Sequence, residues 1–377
     1  MNITGIIAEY NPFHAGHRYQ LSLAKESADA VIVVMSGSFV QRGEAAVFNK
    51  WDRTRTALKY GADLVLELPV VFALNTAERF AFGAISILNK IGIADTLIFG
   101  SECGDISLLS SAATLLENEP LEVSQKIKKY LEKGMGYPAA RELAFEGIIP
   151  AKLLSSPNNL LGIEYIRQLL RTNSRIKPIT HKRIGADYHD RVIHSDFPSA
   201  TALRGEILNG YIYDEFSHSV IHRTENLENI ILYNIRKNKQ SAFSDICDVS
   251  EGIENRIVSA AFDSKTLSEL EDFVSGKRYT RSKVRRILLS SLLGLNSSLS
   301  KSEPSYARVL GASKTGFSLI NEIKSVSDID VITKTAHYKK ENIMFDKDIL
   351  ATDIYDLTAD IPSGAGSDYK NSPIIGG

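Results

Sequence analysis

Apolar runs alternate with amphipathic segments along the first hundred residues. Four runs are apolar at nearly every position and predict strands: "ITGIIAEY", "DAVIVVMSG", "DLVLELPV" and "ADTLIFG". Between them, apolar residues recur every three or four positions and predict helices: "HRYQLSLAKESA", "NKWDRTRTALKYGA" and "NTAERFAFGAISILNKIG", the last capped by Asn75 or Thr76. Continuously apolar strands that alternate with helices indicate an α/β fold, a parallel sheet covered on both faces.

From about Ile221 the pattern changes to amphipathic helices with short breaks: "ENLENIILYNIRKN", "CDVSEGIENRIVSAAF", "KTLSELEDFVSG" and "RSKVRRILLSSLLGL". After Leu295 the pattern is mixed, and "YARVLGAS", "SDIDVITKT" and "DILATDIYDLT" fit short strands or helices. The last stretch, "IPSGAGSDYKNSPIIGG", is predicted to be loose. A chain of 377 residues favours two domains. We predict an α/β domain over 1–220 and a mainly helical domain over 221–377.

Composition narrows the function classes. The formal net charge of −1 disfavours a protein that coats nucleic acid by overall charge, although a local basic patch remains compatible with it. Cys103 and Cys247 form neither a disulfide framework nor a paired zinc motif, which fits a reducing compartment. The N-terminus lacks the features of a signal peptide, and no window reaches the roughly 18 apolar residues of a membrane span. We expect a cytoplasmic protein without membrane contact.

The stretch "IIAEYNPFHAGHRYQ" follows the first predicted strand, and ligands of parallel sheets bind at that end of the strands. His14 and His17 lie three residues apart around a predicted helix start, where both can face one phosphate group. Gly16 leaves room for a nucleotide to approach the helix start. The alternatives are a surface loop with a chance H-x-x-H, or a metal site.

A second segment, "HSDFPSATALRGEI", offers Ser199 and Thr201 as helix caps and hydroxyl donors, with Arg204 one turn later. Alone, it would be an ordinary capped helix with a surface arginine. Together, H-x-G-H and S-x-T-x-x-R resemble the two signatures of the HIGH-type nucleotidylyltransferase superfamily. That resemblance implies a Rossmann-like domain that binds ATP, with His14, His17 and Arg204 as catalytic residues acting at the phosphates.

Longer motifs narrow the resemblance: "GIIAEYNPFHAGH", "VVMSGSFVQRGEAAVFNKWDRTRTAL", "GADLVLELP", "SPNNLLGIEYI", "KRIGADYHD" and "SATALR". Together they resemble the bacterial tRNA(Met) cytidine acetate ligases, over nearly the whole first domain and less distinctively beyond it. The resemblance implies that ATP and acetate give acetyl-adenylate. The acetyl group then passes to N4 of the wobble cytidine of elongator methionine tRNA, giving N4-acetylcytidine without acetyl-CoA.

The resemblance also implies a set of ATP-contacting residues. They are Ile7, Ala8, Glu9, Tyr10, Asn11, Pro12, Phe13, His14, Gly16, His17, Gln20, Gly100, Asn158, Arg183, Ser199, Thr201 and Arg204. The asparagine is either Asn158, which the spacing favours, or Asn159, and either could instead cap the following helix. Acetate is already ionised near neutral pH, so the chemistry calls for cations and amide donors rather than a strong base. Ligand spacing indicates no protein metal site, and Mg²⁺ is expected through phosphates and waters.

The acetate pocket is predicted in "SGSFVQRGEAAVFNKWD", which follows the second strand. Gln41, Arg42, Lys50 and Asp52 are the candidates to face substrate. The alternative for each is a loop side chain in a salt bridge or a helix cap.

The densest basic run is "KRYTRSKVRR", Lys277–Arg286, with six basic residues, one tyrosine and no acid. Such a run can bind an RNA backbone in a salt-dependent way, but it can also be a solvated helix face. On a helix, three arginines fall on one side: Arg278, Arg281 and Arg285. Three apolar residues would then face the core: Val284, Ile287 and Leu288. With Lys277, and with Arg236, Lys237 and Lys239 nearby, these arginines are the candidates to contact tRNA.

Two other functions stay open. One is a small-molecule nucleotidylyltransferase, such as a dinucleotide cofactor synthase or a pantothenate–β-alanine type ligase, which the basic run disfavours. The other is an RNA-binding protein with an inactive nucleotide site, which the presence of both histidines and Arg204 disfavours. The sequence implies no obligate protein partner.

Overall fold

The computed structural model describes residues 1–183, 199–211, 213, 216–327 and 329–376. Its strands are β1 (Ile3–Ala8), β2 (Ala30–Ser36), β3 (Phe39–Val40), β4 (Glu44–Ala45), β5 (Leu64–Leu68), β6 (Thr96–Ser101), β7 (Lys177–Lys182), β8 (Tyr306–Ala312), β9 (Asp330–Ile332) and β10 (Ile374–Ile375). The helices of the first half are α1 (Ala15–Ser27), α2 (Lys50–Lys59), α3 (Val70–Ala73), α4 (Ala77–Ile91), α5 (Ile106–Glu117), α6 (Leu121–Glu132), α7 (Tyr137–Ala144), α8 (Pro157–Arg171) and α9 (Ala200–Leu208).

The second half is richer in helices: α10 (Glu228–Asn238), α11 (Ile253–Asp263), α12 (Leu267–Val274), α13 (Arg281–Leu293), α14 (Ser297–Lys301), α15 (Lys314–Val326), α16 (Ile343–Asp356) and α17 (Ser367–Lys370). Within the described residues, none of these helices combines the length and apolar character needed to cross a bilayer.

The main sheet has the order β10-β8-β5-β2-β1-β6-β7, with β9 beside β8. The neighbours from β5 to β7 are parallel, as in the β1–β2 pair that runs from Ile3↔Ala30 to Ala8↔Met35. Strands β1, β2 and β5 are buried at every position, because helices cover both faces. The predicted α/β class with a parallel sheet is confirmed, and of the two candidate caps of α4 it is Thr76 that accepts from the backbone of Arg79.

The two faces of the sheet belong to different cores. Ile32 and Val34 of β2 pack with α4, whereas Val31, Val33 and Met35 pack with α1 and α2. Helix α1 follows β1 after a short loop, so its start lies at the carboxyl ends of the parallel strands.

The segment after Leu295 contributes strands β8, β9 and β10 as well as helices. The main sheet therefore contains strands from both predicted domains. Strand β8 runs antiparallel to β5. The expectation of a loose C-terminal tail is wrong: Asp368 at the start of α17 is fully buried and pairs with Lys50 and Arg308, each at 2.8 Å or less. Glu67 completes a network of two cations and two carboxylates. The boundary at residue 220 stays a prediction.

Helices α10 to α13 enclose a separate apolar core, which Phe39 and Val40 of the β3–β4 hairpin also join. The predicted core positions of α13 are confirmed, since Val284, Ile287 and Leu288 are buried. The helix begins at Arg281, the first residue of the predicted segment "RSKVRRILLSSLLGL", and Thr280 caps it by accepting from the backbone of Lys283. Arg278 therefore precedes the helix, and the prediction that it shares a helix face with Arg281 and Arg285 is wrong.

Candidate active site

A cleft of roughly 1130 Å³, including space open to solvent, lies at the carboxyl ends of β1 and β6. The first turns of α1, α8 and α9 and the β3–β4 hairpin surround it. Its walls are formed by Ile7, Ala8, Glu9, Tyr10, Asn11, His14, His17, Gln20, Gln41, Arg42, Phe80, Phe99, Gly100, Asn158, Leu161, Tyr165, Arg183, Ser199, Ala200, Thr201 and Arg204. Most residues that the sequence predicts to contact ATP therefore meet around one cavity, although their contact with ATP stays a prediction.

His14 is the N-cap of α1, and its Nδ1 accepts from the backbone N–H of Gly16 at 3.0 Å. A neutral imidazole that accepts at Nδ1 carries its proton on Nε2, so His14 can donate from Nε2. A Cβ atom at Gly16 would lie 2.9 Å from Cε1 of His14. Glycine at this position therefore allows the ring to fold over the helix start.

His17 lies one turn further and stacks on His14, with ring centroids 3.7 Å apart. Burial, reinforced by Arg183 and Arg204, lowers the pKa of His14 to about 3. Burial also lowers the pKa of His17 well below its usual value, and His14 and Arg183 add to the effect. Among the described residues, no group pairs with the buried Nδ1 of His17. Both pKa shifts favour the neutral imidazoles, and both residues border the cleft.

Two arginines approach the histidines from other elements. Arg204 on α9 donates to the carbonyl of Asn11 at 2.7 Å and to the hydroxyl of Thr201 at 3.3 Å. Its helix is capped by Ser199, which accepts from the backbone of Ala202. Arg183 follows β7, where its backbone N–H donates to Ser101 at 2.9 Å. The remainder of the "KRIGADYHD" motif after Arg183 lies outside the described residues.

Gly100 and Asn158 form the opposite wall. A Cβ atom at Gly100 would lie 3.0 Å from the ring of His181 and 3.1 Å from Cγ of Arg183, so glycine keeps this strand end open. Asn158 borders the cleft, and its Nδ2 donates to Glu102 at 2.7 Å. Asn159 is buried and accepts from the backbone of Cys103. The geometry thus favours Asn158 as the cleft asparagine.

Sequence reasoning missed the apolar wall of the cleft, formed by Phe80, Phe99, Leu161 and Tyr165, and also the small Ala200. Asn158, Leu161 and Tyr165 follow the three- and four-residue spacing of one helix face, which could have identified the last two. Phe99 meets Tyr165 edge to face, with centroids 5.6 Å apart. In sequence, Phe80 and Phe99 are indistinguishable from the core residues around them.

Some predicted ATP contacts act from behind the cleft. Pro12, Phe13 and Gly16 do not border it. The ring of Phe13 stacks on Tyr60 with centroids 5.2 Å apart, which anchors the loop that carries His14. These residues shape the site without lining it.

Of the four acetate-pocket candidates, Gln41 and Arg42 border the cleft. The expectation that Lys50 and Asp52 face substrate requires correction. Lys50 is buried at 1% exposure in its pairs with Glu67 and Asp368. Asp52 accepts from Asn49 at 2.8 Å and pairs with Arg55 at 2.6 Å. Both residues follow the salt-bridge alternative that the sequence left open.

The basic run is paired with carboxylates. Arg278 meets Glu251 at 2.8 Å, Arg281 meets Glu271 at 2.6 Å and Arg286 meets Asp248 at 2.7 Å. Arg285 contacts both Glu271 and Glu44. Lys277 is exposed. Contact of this surface with tRNA stays a prediction.

No group of three or more His, Cys, Asp or Glu side chains within the described ranges could hold a metal ion. The cleft instead concentrates cations and neutral donors: two histidines, Arg42, Arg183 and Arg204. Such a set suits a polyanion whose charge grows during reaction.

Comparison with known proteins places these observations in context. Residues 1–367 match the family model described as HIGH Nucleotidyl Transferase. A "tRNA(Met) cytidine acetate ligase" of Thermoanaerobacter sp. (strain X514) is 41% identical over 100% of this chain and 98% of the relative. One from Clostridium perfringens is 40% identical over the full length of both chains. The crystal structure of Thermotoga maritima TmcAL bound with alpha-thio ATP matches with a TM-score of 0.88 and 31% identity, covering 100% and 99% of the two chains.

Proposed function

The chain belongs to the HIGH nucleotidyl transferase family, and from this premise we propose how it acts as a tRNA(Met) cytidine acetate ligase. It activates acetate with ATP as acetyl-adenylate, releasing pyrophosphate. The amino nitrogen N4 of the wobble cytidine then attacks the carbonyl carbon of the acetyl group. The new C–N bond forms, the C–O bond to AMP breaks, and N4 loses one proton. The observation that carries the proposal is the meeting of His14, His17, Arg183 and Arg204 around one cleft.

The cations and histidines hold the phosphates. His14 donates from Nε2, since Gly16 fixes its tautomer, and the adjacent His17 offers a second buried nitrogen. Arg204 is held by Asn11 and Thr201, so its remaining donors are oriented before the ligand arrives. Preorganised donors of this kind stabilise charge on the α-phosphate and on the departing pyrophosphate. No strong general base is required, because acetate arrives ionised.

The wall of Phe99, Leu161 and Tyr165 takes the adenine base, and Asn158 lies at its edge to donate or accept hydrogen bonds. Aromatic and aliphatic walls with a few polar groups are typical of nucleotide pockets. The strand end at Gly100 keeps the backbone accessible to the nucleotide.

Gln41 and Arg42 are placed to hold the acetate beside the α-phosphate. The carboxylate of Glu9 accepts the backbone N–H of Gln41 at 2.7 Å, which fixes this loop against the end of β1. Burial raises the pKa of Glu9, while Arg42 and Arg204 oppose the rise. Mg²⁺ bound with ATP would neutralise part of the phosphate charge and would be held mainly through phosphate oxygens and waters.

The macromolecular substrate is elongator methionine tRNA, bound in part by Lys277, Arg278, Arg281 and Arg285. The enzyme acts in the cytoplasm and requires no obligate protein partner.

Purified protein incubated with ATP and acetate should release pyrophosphate, and addition of methionine tRNA transcript should give N4-acetylcytidine by nucleoside mass spectrometry. Acetyl-CoA without ATP should give none. Efficient acetylation from acetyl-CoA alone would overturn the mechanism. Pyrophosphate release that requires pantoate and β-alanine instead of acetate would favour the small-molecule ligase.

A further inference from the structure

The β3–β4 hairpin belongs to both halves of the molecule. Its turn presents Gln41 and Arg42 to the cleft, while Phe39 and Val40 join the core of the helical region. Its far strand is also tied to that region, because the backbone N–H of Ala45 donates to Thr224 at 2.9 Å. A shift of the helical region would therefore move two residues of the active-site wall.

The turn of the hairpin rests directly on α13. Gly43 has φ +75°, and a Cβ atom there would lie 2.5 Å from the backbone nitrogen of Arg286 and 2.7 Å from the carbonyl carbon of Arg285. The backbone of the turn therefore touches the helix that carries the basic run, at a distance that a side chain would not allow.

Glu44, the next residue, lies between two arginines of different function. One carboxylate oxygen contacts Arg285 of α13, and the other lies 3.9 Å from Nε of Arg204 in the cleft. Beyond Arg285, Glu271 receives Nε of Arg285 at 2.8 Å and Nε of Arg281 at 2.6 Å. A continuous chain of alternating charges thus joins the phosphate end of the cleft to the surface of α13.

The arginines at the two ends of this chain of charges, Arg204 and Arg285, can both bind phosphate. A triphosphate in the cleft competes with Glu44 for Arg204, and an RNA phosphate at α13 competes with Glu44 for Arg285. Arg42 borders the same cleft and also faces Glu44, so an anion there draws it as well. If both anions are bound, the partly buried carboxylate of Glu44 has lost its arginine partners, which is unfavourable in free energy. If only one anion is bound, Glu44 keeps the arginine at the other end.

We infer that Glu44 is a positioning residue that orders the two half-reactions by making triphosphate and tRNA compete through Arg204 and Arg285. With the triphosphate present, Glu44 holds Arg285 and the α13 surface binds tRNA weakly. Departure of pyrophosphate returns Arg204 to Glu44 and frees Arg285 for an RNA phosphate. The inference rests on the proposed function, and it places adenylate formation before productive tRNA binding.

The test measures the dissociation constant of methionine tRNA transcript by fluorescence anisotropy, with and without saturating α,β-methylene-ATP. In the wild type the analogue should weaken tRNA binding about fivefold or more, within the usual range of coupling between two sites. AMP, which lacks the β- and γ-phosphates, should leave tRNA affinity nearly unchanged.

The ratio of the tRNA dissociation constants with and without the analogue should fall to about one in Glu44→Gln. Glu44→Asp keeps the charge and should retain part of the effect. Asp248→Asn is the matched control, because Asp248 pairs with Arg286 and Lys283 on the same helix at similar exposure but does not border the cleft. A structural role of Glu44 would change both dissociation constants without changing their ratio. If Glu44→Gln melts at a much lower temperature, Arg285→Gln breaks the chain from its other end and should also abolish the ratio.

A wild-type ratio of one, or an unchanged ratio in Glu44→Gln, would overturn the inference. Failure of the proposed function is a different result. In that case the wild-type protein releases no pyrophosphate with acetate, or binds no tRNA at any salt concentration.

Discussion

The cleft and the surface of α13 are both rich in cations, but different groups hold the arginines in the two places. In the cleft, Arg204 is held at 2.7 Å by a backbone carbonyl, and the carboxylate of Glu44 lies 3.9 Å away. On and before α13, Arg281 and Arg278 pair with carboxylates at 2.6 Å and 2.8 Å. The cleft therefore keeps its positive potential for a ligand, whereas carboxylates of the protein itself neutralise much of the positive charge at α13.

The difference shows that a count of basic residues does not measure the capacity to bind an anion. A carboxylate-paired arginine must give up its partner before it binds a phosphate, and the exchange returns only part of the interaction. Arg204 is held at short range by neutral groups and gives up only its longer contact with Glu44.

Replacement of either cleft histidine should have the largest effect. His14→Ala or His17→Ala should reduce tRNA-independent pyrophosphate release by roughly 10²-fold or more, the scale for loss of a preorganised donor to developing charge. His218→Ala is the control, because His218 is exposed and does not border the cleft. Circular dichroism should stay unchanged, and a histidine variant with wild-type turnover would remove that residue from the catalytic set.

The triple replacement Arg278→Ala, Arg281→Ala and Arg285→Ala should weaken tRNA binding by roughly tenfold at low salt, with little change in pyrophosphate release measured without tRNA. The salt dependence of tRNA binding should flatten by up to roughly one unit of slope per lost phosphate contact. Because each arginine already has a carboxylate partner, we expect a total change below three units. Wild-type tRNA binding at every salt concentration would show that α13 is only a solvated surface.

The cleft histidines should make the stability of the folded protein depend on pH. The unfolded chain protonates His14 near pH 6.5, whereas the folded protein keeps it neutral down to about pH 3. This share of stability is complete above pH 6.5 and is lost as pH falls towards 3, by up to about 1.4 kcal/mol per pH unit. His14→Gln should flatten the pH dependence of the unfolding free energy by that amount, and an unchanged slope would show that His14 is not held neutral.

The smallest effect is expected from releasing arginines from their partners. Glu251→Gln with Asp272→Asn removes exposed carboxylates from Arg278 and Arg281. If the basic run contacts RNA, tRNA binding should tighten by about two- to threefold, since exposed pairs contribute little. Unchanged binding would mean that these arginines do not meet the RNA.

The sequence predicted the sheet, and it predicted that His14, His17 and Arg204 lie together, because the strands and the helix starts depend on local patterns. Continuous apolar runs identified the strands, and H-x-G-H marks one helix start. The positions that failed depend on distant partners. Lys50 resembles a loop cation until Glu67 and Asp368 meet it across the fold, and the tail resembles a loose segment until Asp368 is buried. The pairing of Arg285 with Glu44 likewise joins residues far apart in sequence.

The late position of β8 has a consequence for synthesis on the ribosome. Strand β5 is complete at Leu68, but the neighbour that covers its edge begins at Tyr306. At translation rates of ~5–20 residues per second, the edge of β5 stays uncovered for tens of seconds before β8 is synthesised. During that time Glu67 and Lys50 lack Arg308 and Asp368, and an open strand edge invites pairing with other chains. The nascent chain should therefore engage a ribosome-associated chaperone until its last fifth emerges, and ribosome profiling of that association would show when β5 is covered.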